Sequence, residues 1–393
     1  MADDPSAGRP AAPEPAARER AVLDPTAPEM GDLLVRAWES GTLRAALDTP
    51  PGAPELPAGP VRATLAGVGE SFAAWRLTMA STSPTDPPAA SFIARVPHVP
   101  AASLPRPLAQ EIAALALAPA GVGPAPVGVH EDGATSPLGL PIVLTEDVPG
   151  AAARPSAWTE AHLRAHARHL ASLHTVAAPG RGPVVPGPAP WAAVPEGPPS
   201  LLAEVEAEAG TWPAAGPGAP GAPPLERLAD AVLVRVAGIE SQIAQLDGFV
   251  LSHGDLCATN ILWDGTDAAG TSSVQYIDFE WAQGDDPARD LAIIGGAVHG
   301  GPWYVPLAEE QVTGFVRAYV DARTALAREA GDRELPASVA DLGALRERMR
   351  AWTAYDRMAM LAHVASRAAD SETHRRMLPV LHGTLAAELG LRA

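Results

Sequence analysis

Lysine is absent from all 393 residues, so each of the 28 permanent positive charges is an arginine. A site in this chain that needs a side-chain cation therefore presents a planar fork able to grip two oxygens, not a flexible point charge. Cysteine is reduced to Cys257, which excludes an internal disulfide and suits a reducing compartment. Nothing around Cys257 marks an activated thiolate, and it reads as a small loop residue. Apolar runs of about 18 residues, the length needed to span a bilayer as a helix, are missing. The acidic, proline-rich start has neither the basic nor the apolar region of a secretory signal. These absences lead to the expectation of a cytoplasmic protein. Basic residues are also scarce: 46 acidic against 28 basic side chains leave a formal charge of −18, which argues against nucleic acid or an anionic membrane as partner. The balance suits a cationic ligand, although net charge mainly reports solubility.

Glycine and proline, by contrast, are abundant, at 36 and 43 residues, and much of the excess falls in two stretches. Residues 1–29 combine Ala, Pro, Glu and Arg without apolar periodicity, the pattern of a disordered tail. Residues 177–224 form a second Pro/Gly-rich segment, broken by a short helical pattern at 200–209 and carrying Trp191 and Trp212. Segments of this kind inside compact domains are functional or disordered. The chain exceeds one ordinary core, so two lobes are expected. Helical spacing at 30–47 is followed by strand-like runs at 61–65, 72–77 and 91–96 and a helix at 108–117. Helical periodicity then dominates, at 159–174, 225–246, 307–328, 338–369 and 372–389.

The stretch from Phe249 to Ala292 carries the chemistry. An apolar run, Phe249 to Leu251, leads into His253, Gly254 and Asp255 in a tight loop, with Asn260 following; a second run, Val274 to Ile277, delivers Asp278. Two short strands that each end in a carboxylate can hold two acids beside one reacting phosphate. Phosphoryl transfer is catalysed mostly by positioning and charge stabilisation, with magnesium bridging phosphate oxygens and a carboxylate at the attacking hydroxyl. Magnesium takes oxygen ligands in octahedral geometry, few of them from protein. Asp255 fits the hydroxyl-facing role, and Asn260 and Asp278 fit the metal role. An isolated Asp after a strand is usually a turn former, but several matched elements in order are harder to dismiss.

The segments HGDLCATN (253–260), YIDFEWA (276–282) and DPARDLA (286–292) resemble the aminoglycoside phosphotransferase and choline kinase superfamily, small-molecule kinases of protein-kinase-like fold. The resemblance covers most of residues 60–320. It implies an α+β, two-lobed fold: an N-lobe over 30–146 built on a small antiparallel β-sheet, and a mainly helical C-lobe over 147–393, with the 177–224 insertion helping to form the acceptor pocket. It also implies that Asp255 receives or orients the acceptor hydroxyl, that Asn260 and Asp278 bind Mg2+, that Asp290 supports the catalytic loop, and that His253 is architectural. For Asp290 an ordinary helix start is the competing reading. Arg95 stands where many relatives carry a lysine that contacts the nucleotide phosphates. Glu111 on the following helix is its natural partner, and Arg76 is the competing cation if the strand register differs. Gly67, Gly69 and Ser71 lie where a flexible turn would cover the phosphates, although a glycine-rich hairpin needs no ligand to exist. Backbone groups from Glu146 to Val148 would hydrogen-bond the base. The chain departs from the pattern at Arg95, in its loose glycine turn, and at Asp285, where relatives often carry glycine.

The acceptor side is expected to include Glu280, Trp281, Asp285, Trp352, Tyr355 and Asp356, since aromatic faces attract ammonium groups and acids pair with amines. His162, His166, His169 and His174 share a helix without the acid or cysteine cluster a metal site needs, and read as packing residues. The expected function is transfer of the γ-phosphate of ATP or GTP to a hydroxyl of an aminoglycoside-like antibiotic or related polar, cationic compound. A choline-, ethanolamine- or thiamine-type metabolite kinase is the alternative. A nucleotide-binding pseudo-enzyme is a further one, against which the intact Asp255, Asn260 and Asp278 stand. No segment ending in Ala-Pro-Glu follows Asp278, which disfavours a protein kinase.

Overall fold

The computed structural model describes residues 23–80, 90–99, 103–187, 200–266, 272–331 and 334–391. The chain opens with helices α1 (Pro28–Glu39) and α2 (Thr42–Ala46) and strands β1 (Val61–Val68), β2 (Phe72–Met79) and β3 (Ser91–Pro97). Helix α3 (Leu108–Leu117) and strands β4 (Pro126–His130) and β5 (Ile142–Glu146) complete the lobe. The strands form one antiparallel five-stranded sheet in the order β1-β2-β3-β5-β4. Period-two alternation fixes which face each side chain takes. In β3, Phe92, Ala94 and Val96 enter a core with Trp38 of α1, Trp75 and Leu144. On the opposite face Phe72 and Val143 pack against Leu108 and Ile112 of α3, and Arg95 points to that side. Part of the expected tail, residues 1–22, lies outside the described residues. Its end packs: Leu23 lies against the first core and Trp75 Nε1 donates to the Pro25 carbonyl at 2.8 Å.

The second lobe holds β6 (Ala151–Ala152), α4 (Glu160–Leu173), β7 (Ala177–Ala178), β8 (Gly182–Pro183), α5 (Leu201–Ala209), α6 (Leu225–Ala237) and α7 (Glu240–Ala244). Next come β9 (Phe249–Ser252), β10 (Ile261–Thr266), β11 (Ser272–Tyr276), β12 (Gln283–Asp285), α8 (Pro287–Ile293), β13 (Gly295–Gly296) and β14 (Val305–Pro306). Four helices close the chain: α9 (Glu309–Ala330), α10 (Ala337–Ala340), α11 (Leu342–Arg367) and α12 (Glu372–Glu388). Helix α4 packs along α9, and α11 runs through the core against α6, α8 and α12. Two expected helices are each divided. The 225–246 run breaks at Gly238 and Ile239, and the 338–369 run breaks at Asp341, whose carboxylate leaves the helix to accept the Gly343 and Ala344 N–H groups at 2.9 and 3.1 Å, the preferred role of Asp at a helix start. The two strands expected to carry the site acids do not pair with each other. β9 lies between β7 and β12, while β11 pairs with β10. Trp191 lies outside the described residues, whereas Trp212 is buried in the helical core. No described helix is long and apolar enough to cross a membrane.

Candidate active site

The loop after β9 is set by one carboxylate. Asp290 of α8 is fully buried and accepts hydrogen bonds from Ser252 Oγ (2.9 Å), His253 N (2.7 Å), Gly254 N (2.8 Å) and His174 Nε2 (3.0 Å). Burial by itself opposes ionisation, but the His174 hydrogen bond and its companions hold this carboxyl well below the ordinary range. His174, the last residue of α4's cap, is oriented in turn by the Tyr319 hydroxyl on α9, 2.8 Å from Nδ1. Gly254 has φ +81°, and a Cβ there would lie 2.5 Å from the Trp281 carbonyl, so the tight approach of the two loops requires glycine. His253 donates from Nε2 to the Ile277 carbonyl at 3.0 Å, accepts the Asp255 N–H at 3.3 Å on Nδ1, and packs its ring on Phe279. Burial lowers the proton affinity of His253 and His174, with Asp290 opposing.

The loop delivers Asp255 to the cleft between the lobes. Asn260 Nδ2 donates both to the Asp255 carbonyl (2.9 Å) and to its Oδ2 (2.8 Å), which fixes the carboxylate and turns Asn260 Oδ1 the other way. Asp278 follows β11 with φ 71° and ψ 61°, and it is the sole non-glycine residue with positive φ among the described residues. Strained backbone of this kind persists where the surroundings over-determine it, and it clusters at functional sites. From the first lobe Arg95 reaches over: one arm pairs with Glu111, and the other lies 2.6 Å from Asp278 Oδ1 and 3.9 Å from Glu280 Oε2. Its guanidinium rests on the Phe72 ring, 4.3 Å from the centroid. The register pairs Ala74 with Arg95 and Arg76 with Ile93, and Arg76 instead binds Asp147 at 2.6 Å. Burial, then the charges of Asp278, Asp356 and Glu280, push Asp255 well above the usual carboxylate range, with Asn260 opposing. Burial and Asp278 push Glu280 up to about 8.

Gly67 at the end of β1, Gly69 and Ser71 lie at the β1–β2 turn that leads into Phe72, closed by a Gly69 N–H to Phe72 carbonyl bond of 2.8 Å. At the segment joining the lobes, the Glu146 and Asp147 N–H groups are spent on the Ala125 and Ser91 carbonyls, and Val148 follows them. Several expected acceptor residues are not open. Asp285 is fully buried, its oxygens taken by Arg181 (2.7 Å), Arg289 (2.8 Å) and Gln283 (2.7 Å). Trp352 is 1% exposed, lies under Arg181 and Arg289, and donates its Nε1 to Asp286. Both are framework, because each sits where arginines from other elements converge. Tyr355 is 7% exposed and its hydroxyl lies within hydrogen-bond distance of both Glu204 (3.1 Å) and Glu208 (3.0 Å) of α5. Asp356, paired with Arg357, and Glu280 keep partial exposure, and Trp281 is half-buried with Arg106 over its ring. Glu204 and Glu208 had no signal in the sequence beyond a short helix in the insertion. His162 caps α4 with Thr159, His166 meets the Tyr276 hydroxyl at 2.8 Å, and His169 Nε2 meets the Val122 carbonyl at 2.9 Å, so these histidines are structural.

The architecture has solved counterparts. A protein from Ralstonia eutropha provisionally named an aminoglycoside phosphotransferase superposes with TM-score 0.57 at 13% identity, covering 91% of this chain and 97% of its own. Choline kinase from Cryptosporidium parvum does so with TM-score 0.54 at 11% identity, covering 89% and 93%. Ethanolamine kinase from Plasmodium vivax gives TM-score 0.50 at 14% identity, covering 84% and 81%. At such identities the likeness establishes the two-lobed, α+β, kinase-like fold. No curated protein sequence matches the chain. The phosphotransferase enzyme family matches residues 63–352, a span that runs from β1 through the loop after β9 into α11, and the chain belongs to that family.

Proposed function

We propose that this protein transfers the γ-phosphate of ATP to a hydroxyl of a small, amine-bearing acceptor. The observation that carries the proposal is the convergence of Asp255, held by Asn260, with Asp278, held by an arginine that Glu111 anchors from the other lobe. Asn260 Oδ1 and Asp278 are hard oxygen donors of the type magnesium takes, so the residues fit that ion. Bound there, Mg2+ would neutralise charge on the nucleotide phosphates. Asp255 accepts the proton of the acceptor hydroxyl as its oxygen bonds to the γ-phosphorus and the bond to the β-phosphate oxygen breaks, releasing ADP. A carboxyl whose proton affinity is raised by burial and like charges is a stronger base than an exposed one. Arg95 turns from Asp278 toward the phosphates while Glu111 keeps its other arm in place, which a forked guanidinium allows and a lysine does not. The β1–β2 turn covers the phosphates, and the base meets backbone at Glu146 to Val148.

The acceptor side favours amines. Glu280 and Asp356 act on Asp255 and keep partial exposure, whereas Trp352 and Tyr355, the aromatics that would cage a quaternary ammonium, are buried. This supports an aminoglycoside-like acceptor over a choline-type one. The proposed protein would act without nucleic acid or membrane partners. The test is a transfer screen of purified protein with ATP or GTP and magnesium against aminoglycosides, other hydroxylated antibiotics, choline, ethanolamine and thiamine. A hit among the aminoglycosides that vanishes in Asp255→Ala is the expected outcome. A choline-type hit would move the protein to the metabolite-kinase reading, and nucleotide binding with no transfer at all would favour a pseudo-enzyme.

A further inference from the structure

The β1–β2 turn touches the helical lobe through Glu70. Its Oε1 lies 3.0 Å from His363 Nε2 on α11 and 3.7 Å from His374 Nε2 on α12. The ligand atoms of the three residues all fall within 4.8 Å of one another. A tetrahedral zinc ion with bonds of about 2.0–2.2 Å sets neighbouring donors about 3.3–3.6 Å apart, between the two distances found.

The orientation of His374 points the same way. Ser371 caps α12 by accepting the His374 backbone N–H, and its Oγ also lies 2.7 Å from His374 Nδ1. With Nδ1 hydrogen-bonded to Ser371 Oγ, Nε2 is the ring nitrogen left to face the Glu70 carboxylate. His374 is only 8% exposed, and its Nε2 has no hydrogen-bond partner among the described residues; 3.7 Å to Glu70 is beyond hydrogen-bond range. A cation between them would give this buried nitrogen a partner. An imidazole with one nitrogen hydrogen-bonded to an oxygen and the other bare is the arrangement found at metal-ligating histidines. Two imidazoles and a carboxylate, with Glu70 exposed so that water can complete the shell, are a donor set that zinc takes, while magnesium and calcium prefer oxygen alone.

We propose that Glu70, His363 and His374 form a zinc-class divalent-cation site, separate from Asn260 and Asp278, that fastens the β1–β2 turn to α11 and α12. The same turn leads into Phe72, on whose ring Arg95 rests, so occupancy would fix the strand end beneath that guanidinium. The site requires neither nucleotide nor acceptor and stands independently of the transfer reaction. Its test is titration of the full-length, chelator-stripped protein with Zn2+ alone, by calorimetry with metal quantification after gel filtration, together with amide exchange across residues 67–72. Stoichiometric binding that slows exchange in the turn is expected. Ser371→Ala lowers Zn2+ affinity about 10- to 100-fold, Glu70→Gln or His363→Gln lowers it further, and Asp278→Ala leaves it unchanged. Glu70 is exposed on a turn, so its variant keeps the fold. Absence of saturable binding would overturn the proposal, leaving an ordinary Glu–His contact. Binding of equal affinity in Glu70→Gln and His363→Gln would also overturn it, by placing the ion elsewhere.

Discussion

Asp255 and Arg95 carry different kinds of burden. Asp255 is oriented by a single neighbour, Asn260, and its removal leaves the packing around it intact. Asp255→Ala is therefore expected to lower turnover by about 10²–10⁴-fold, the range of a lost general base, with ATP affinity nearly unchanged in an equilibrium titration. Near-full turnover in that variant would remove Asp255 from the hydroxyl-facing role. Arg95 has a structural share as well, because Glu111 is 3% exposed and Arg95 is its ion-pair partner. Arg95→Ala strands a buried carboxylate at a cost of about 3–5 kcal/mol, while the double variant with Glu111→Gln recovers much of that loss. Chemical denaturation of the two variants separates this effect from nucleotide binding, which both should lose. If the double variant were no more stable than Arg95→Ala, the ion pair would not be what Glu111 needs.

Between elements, the loop after β9 depends on a relay that crosses three helices. Tyr319 on α9 orients His174 at the end of α4, His174 donates to Asp290 on α8, and Asp290 accepts the backbone of the loop after β9. Asp290→Ala strands the buried His253 and Gly254 N–H groups at about 1–3 kcal/mol each, so a lower melting temperature and lost turnover should appear together. Tyr319→Phe removes only the outermost link, and a loss of about 1–3 kcal/mol is expected, with turnover reduced less than in Asp290→Ala. Turnover unaffected by Asp290→Ala in protein that remains folded would show that the loop holds its shape without the relay. Sequence reasoning assigned His174 to packing, and it does cap a helix. Its part in the relay stayed hidden because Asp290 and Tyr319 are its partners across 116 and 145 residues of chain.

For the whole molecule, buried neutral imidazoles set part of the response to acid. Burial lowers His166 from 6.5 to about 3, and it also lowers His169, His174 and His253. As pH falls through 6.5 the unfolded chain takes up protons at these rings before the folded protein does, so each ring's contribution to stability is present above that pH and is lost on acidification. His166→Phe keeps the stack on Phe315 and deletes the titration. Its urea midpoint relative to wild type should rise as pH falls from 6.5 toward about 3. A difference that stays flat across that window would mean His166 is protonated in the folded state.

Residue type and short spacing alone determined the family-bearing segments from 253 to 292, the helical second lobe and the strand that carries Arg95, because each of those signals is local. Motif residues sit a few positions apart, and strand or helix periodicity needs only one face to be apolar. Tertiary structure decided which acids stay open to the cleft. Asp285 and Glu204 are both acids near Arg181, yet the first is consumed by Arg181 from 104 residues away together with Arg289 four residues along, while the second keeps part of its surface and meets Tyr355. Ion pairing and desolvation are set by groups that folding brings together from distant parts of the chain, and no local pattern records which carboxylate an arginine will choose.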